Sequence, residues 1–198
     1  MSVTRSNDKA MKVGLALGAG GVMGGAWLTG GLAALAESTG WDPQTADYIL
    51  GTSAGAMIGS LIAGGVPPWF MVAHSAGEVF DGLVDSSGRP VAEADRSAGA
   101  IFRPSAPWLP FPGSPRLALS AFRRGGVAGL RARLAALAPA GIISTEPLKQ
   151  TVRRAVPNGW AEHPHLWIAA CDYATGERVV FGRPGSPPAD LALSLIHI

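Results

Sequence analysis

A chain of 198 residues, 47% hydrophobic and 15% charged, suits a single domain with a sizeable core and excludes a disordered protein. Sixteen basic against fourteen acidic side chains leave a formal charge of +2, too small a surplus to argue for a nucleic-acid partner. One cysteine, Cys171, excludes an internal disulfide framework, fits a reducing compartment, and reads as a small buried apolar residue. Residues 1–11 are expected to be disordered and 12–192 to form one domain. The polar start lacks an apolar h-region, and glycines soon break the apolar run from Val13. The expected location is therefore the cytoplasm, with any membrane contact made from inside.

Lys12 to Leu17 reads as a buried strand, followed by a glycine-rich turn from Gly18 to Gly25. Ala26 to Glu37 reads as a helix, with Trp27, Leu28, Leu32 and Leu35 at helical spacing. Asp47 to Leu50 predicts a second strand and Ala54 to Gly64 a second helix, stopped by Pro67-Pro68. From about 78 to 125 proline, glycine, serine and arginine dominate, in a stretch too long for an ordinary connection. It is expected to form a variable lid or loop. Its aromatic residues Phe102, Trp108 and Phe111, edged by Arg103, Arg116, Arg123 and Arg124, suit either a lipid interface or tucking into the core. Val127 to Leu137 predicts a helix, and Ser144 or Thr145 caps another that runs through Val156 with Pro147 in its first turn. Leu166 to Cys171 predicts a third strand, and Arg178 to Phe181 a strand returning from a turn. Strands alternating with helices imply an α/β protein with a mainly parallel sheet.

The chemistry concentrates at Gly51-Thr52-Ser53-Ala54-Gly55. A short apolar strand ends at glycine, a serine follows two residues on, and a helical pattern begins. This is the strand–turn–helix arrangement of a nucleophile elbow, G-x-S-x-G. The turn strains the serine, and side chains at 51 and 55 would clash with the approaching backbone. The glycine-rich turn ends the neighbouring parallel strand, so both turns fall on one sheet edge. There the N–H groups of Gly20, Gly21, Val22 and Ala54 are placed to form an oxyanion hole. A dinucleotide fingerprint fails because Met23 stands where its third glycine belongs, and a phosphate loop fails because no Lys-Ser or Lys-Thr follows. None of the four histidines follows an acid in the Ser…Asp…His order. His163 and His165 precede the third strand, at the wrong end for a site on its C-terminal edge.

The coupled runs Leu17-Gly18-Ala19-Gly20-Gly21-Val22-Met23-Gly24 and Gly51-Thr52-Ser53-Ala54-Gly55 resemble the patatin-like phospholipases. Leu166 to Phe181, with Asp172 and Thr175-Gly176-Glu177, is similar to that family's strand after its variable region. The resemblance implies a three-layer fold with a central, mainly parallel sheet flanked by helices. It implies Ser53 as nucleophile, Gly18, Gly24, Gly51 and Gly55 as motif glycines, an aspartate as base, and neither metal nor cofactor. The reaction implied is hydrolysis of a lipid or phospholipid acyl ester through an acyl-enzyme. An inactive lipid- or acyl-binding module of the same fold is the alternative.

Two departures from the family pattern stand out. Ala19 and Met23 occupy positions where the family usually has glycine and a basic residue, which removes a positive charge near the site. The family's aspartate lies in Asp-Gly-Gly or Asp-Gly-Ala, and this sequence contains neither. The expectation is therefore a chain that stops before its base, lacking the C-terminal part of the fold. Residues 193–198 match a translated sequencing adapter. Asp172 is the one acid of this chain placed to substitute.

Overall fold

The structure, a computed structural model, describes residues 12–78, 80, 84, 88, 90, 119, 146–156, 158–172 and 177–186. In chain order these form β1 (Gly14–Leu17), α1 (Gly21–Thr39), a 3-10 turn (Pro43–Thr45), β2 (Tyr48–Gly51), α2 (Ala54–Ala63) and α3 (Pro68–Ser75). Then come α4 (Glu146–Ala155), β3 (Leu166–Asp172) and β4 (Glu177–Phe181). The four strands pair in the order β1-β2-β3-β4, the first three parallel and β4 antiparallel to β3. This is the mostly parallel α/β arrangement that the alternating pattern implied.

Strand alternation decides which side chains meet the helices. Leu15, Leu17, Ile49, Leu166 and Ile168 share the face covered by α2; the first four join Ile58, Leu61 and Ile62 in the core, and Ile168 packs with Ala56 and Phe181. Helix α1 packs on α2 and α3, and α4 closes the far end with Val152 and Val156 buried. Gly64 lets that end close, because a Cβ there would meet the Ala155 carbonyl oxygen and Val156 Cγ2 at 2.9 Å each. The opposite sheet face carries Ala16, Leu50, Trp167 and Cys171. The expected helix at 127–137 lies outside the described residues, as does most of the 78–125 stretch.

Several expectations are corrected. The glycine run is not a turn throughout. Gly24 N–H donates to Gly20 O at 2.8 Å, so α1 begins at Gly21 and takes in Gly21, Gly24 and Gly25. Each glycine costs a helix about 1 kcal/mol relative to alanine. Packing offsets this, since Gly25 is buried with only 4.0 Å between a Cβ there and that of Ala54. The buried stripe of α1 runs through Gly25, Thr29 and Leu32, with Thr29 Oγ1 donating to Gly25 O at 2.8 Å. Trp27 and Leu35, expected to share that stripe, are exposed. Cys171 is exposed rather than buried, because alternation along β3 turns it away from α2. Helix α2 stops at Ala63 with Gly64 as its C-cap, ahead of the Pro67-Pro68 pair expected to end it, and Pro68 instead opens the first turn of α3.

Ile49 is fully buried at the centre of the sheet, beneath Gly59 of α2. Ile49→Ala should lower the unfolding free energy by about 2–5 kcal/mol, read from urea denaturation followed by circular dichroism.

Candidate active site

Strand β2 ends at Gly51 in register with Leu17 of β1 and Ile168 of β3, so the chain leaves the sheet at its C-terminal edge. Thr52 N–H then donates to Leu17 O at 3.1 Å, and Gly55 N–H to Gly18 O at 3.1 Å. These two bonds lace the serine turn to the glycine turn that opens α1. A Cβ on Gly55 would run into the carbonyls of Leu17 and Gly18, and one on Gly51 into the Gly55 carbonyl and, at 2.7 Å, Ala56 Cα. Backbone lies against backbone at both positions, and no rearrangement of side chains relieves the overlap.

Between those glycines Ser53 adopts φ 52° and ψ −120°, alone among the described non-glycine residues in having positive φ. Such a conformation costs about 1–3 kcal/mol and persists only where its surroundings impose it. Ser53 stands at the N-cap of α2, and its carbonyl accepts from Ala56 N–H at 2.9 Å and Met57 N–H at 3.2 Å. A serine there ordinarily turns its hydroxyl onto the helix's free N–H groups. Here it makes no capping bond, because the backbone twist carries Cβ away from the helix end. Ser53 is half-buried, and its hydroxyl makes no bond to the helix it caps. The sequence motif foretold this twist and both clashes.

The other expected residues lie close by. Ala54 is the first residue of α2, and Gly21 and Val22 the first two of α1, so their N–H groups have no acceptor one turn back within their helices. No side chain caps the α1 start at Gly20, where a Cβ would meet Gly24 Cα at 2.6 Å. The N-termini of α1 and α2 thus open from two turns joined by the Gly55–Gly18 hydrogen bond. Gly18 and Gly24 have ordinary room for a Cβ, so packing does not demand glycine at either.

The histidines stand elsewhere. His163 Nε2 lies 2.9 Å from Ala46 O and His165 Nδ1 3.0 Å from Asp47 O, both at the start of β2. His165 stacks on Tyr48 with centroids 4.5 Å apart, at the sheet edge opposite Ser53. His74 stacks on Phe70 within α3. Among the described residues, no group of three or more His, Cys, Asp or Glu is arranged to hold a metal ion. Asp172 closes β3, paired with Glu177 of β4 and four residues past Ile168 on the Ser53 edge.

A family model for patatin-like phospholipase matches residues 15–182. The chain belongs to the patatin-like phospholipase family. The matched span runs from β1 through the residue after β4, and so includes both turns and all four strands. No curated protein and no solved structure matches the chain. Helix α3 escaped the sequence reading, although Pro68 after a glycine break is the ordinary mark of a first helical turn.

The strain at Ser53 is measurable apart from any reaction. Ser53→Gly should unfold about 1–2 kcal/mol later than Ser53→Ala in urea, because only glycine adopts the twist freely. Gly55→Ala should leave little soluble folded protein in the same assay.

Proposed function

We propose that this member of the patatin-like family is a serine acyl hydrolase of lipid or phospholipid esters, with Ser53 as nucleophile. The strained, uncapped Ser53 at the sheet's C-terminal edge carries the reading. The Ser53 hydroxyl oxygen attacks the ester carbonyl carbon while a carboxylate accepts its proton. Negative charge collects on the former carbonyl oxygen, toward the N–H groups of Gly20, Gly21, Val22 and Ala54. One such donor is typically worth about 2.7–4 kcal/mol in the transition state. Collapse expels the alcohol or lysolipid with a returned proton and leaves the acyl group on Ser53. Water then repeats the sequence to release the fatty acid.

The base is assigned to an aspartate of the Asp-Gly-Gly or Asp-Gly-Ala type, as the family resemblance implies. With neither motif in the 198-residue sequence, slow turnover is expected of this chain alone. The geometry of His74, His163 and His165 supports a base other than these three histidines.

A fluorophosphonate probe followed by intact mass should add once to the chain and not at all to Ser53→Ala. His74→Gln, His163→Gln and His165→Gln should label within about twofold of the parent rate. Equal labelling of Ser53→Ala would remove the nucleophile assignment. Sustained Ser53-dependent ester hydrolysis above about 1 s⁻¹ would place the base within this chain.

A further inference from the structure

The first two turns of α1 hold Val22, Met23 and Trp27 at 76%, 81% and 74% exposure. At about 100° per residue the three fall within an arc of about 140°, with Ala26, Gly30 and Ala34 between them. All six are exposed. No charged residue occurs between Lys12 and Glu37, so this face is electrically neutral over its whole apolar length. It belongs to the same helix end that lies beside Ser53 through the Gly55–Gly18 hydrogen bond.

Area and charge together narrow the occupant. The three large side chains present on the order of 400 Å² of apolar surface, an unusual cluster to leave in water. A stable dimer buries about 800 Å² of total surface from each partner, more than these three side chains alone supply. A lipid interface has no such threshold, because each apolar side chain that enters it adds to binding without a matched partner. Attraction to anionic lipid needs Lys or Arg on the docking face, and this one has none.

We infer that the exposed face of α1 inserts into the acyl region of a zwitterionic lipid surface and brings the Ser53 turn to that surface. The inference rests on the reading of Ser53 as a lipid-ester nucleophile. It places a membrane contact on α1, where the sequence had offered only the 78–125 stretch, as either a lipid interface or part of the core. Among the described residues no helix is long and apolar enough to cross a membrane, so the contact is peripheral.

The test is co-sedimentation of the full chain with phosphatidylcholine vesicles at about 0.1 and 0.5 M NaCl, beside the double variant Trp27→Ser, Met23→Ser. The parent should bind equally at both salt concentrations, and the double variant about tenfold or more weakly. Fluorophosphonate labelling of Ser53, which needs no interface, should stay within about twofold. Trp27→Phe, which keeps an apolar ring, should retain binding and so separate insertion from a folding defect. Absent binding, binding untouched by the double substitution, or binding that requires anionic lipid and fails in salt would each overturn the inference. A dimer that the double substitution dissolves would assign the face to a second copy and overturn it too. Vesicle binding with Ser53→Ala labelled as fast as the parent would leave insertion standing and remove the nucleophile; Ser53-dependent labelling without vesicle binding would do the reverse.

Discussion

Everything at the site depends on how closely the Ser53 turn lies against the end of β1. Gly55 sits directly on the Leu17 and Gly18 carbonyls, and its N–H completes the contact at 3.1 Å from Gly18 O. That approach sets the distance between the serine turn and the α1 start, and pulls the chain at Ser53 through an unfavourable backbone region. It also seats α2 on the sheet, since the helix begins one residue after the serine. The geometry of the serine turn and the packing of the core are consequences of the same contact. The serine's strain is sustained by the apolar core under α2, where Ile49, Ile58 and Ile62 are buried.

The sheet divides its labour between its two edges. At the N-terminal edge, Tyr48, His165 and Trp167 form an aromatic cluster, with Arg183 over the Trp167 ring at 5.7 Å. There too Asp47 Oδ2 accepts from Val13 N–H at 2.8 Å, tying the start of β1 to β2. These bonds fasten strand beginnings and spend the histidines on structure. Among the described residues, the C-terminal edge carries backbone N–H groups, glycines and the hydroxyls of Thr52 and Ser53. Parallel strands force this separation, because every strand begins at one edge and ends at the other.

Much of this was legible in the residues. Short apolar runs ending at glycine marked β1 and β2, and the paired glycines around Ser53 foretold the backbone contact because only that geometry excludes a Cβ. The sequence order of the histidines already placed two of them at the wrong edge. The start of α1 was not legible. Gly21, Gly24 and Gly25 read as part of a turn by local propensity, and the packing of Gly25 against Ala54 of α2 supports them as helix. The same contact fixes the phase of α1, and Trp27 and Leu35 fell on the wrong side for want of it. Cys171 was misplaced because a strand of mostly apolar residues conceals which of its faces a helix covers.

The two glycines flanking Ser53 are required by backbone contact alone, while nothing in the packing requires the hydroxyl between them. Selection therefore acts on the pentapeptide in two separable ways. A descendant that abandoned the reaction would be free to replace its serine, and would gain stability if glycine took its place. It would remain bound to both flanking glycines for as long as it kept this fold. The glycines record ancestry and architecture, and the serine records whether the chemistry is still in use.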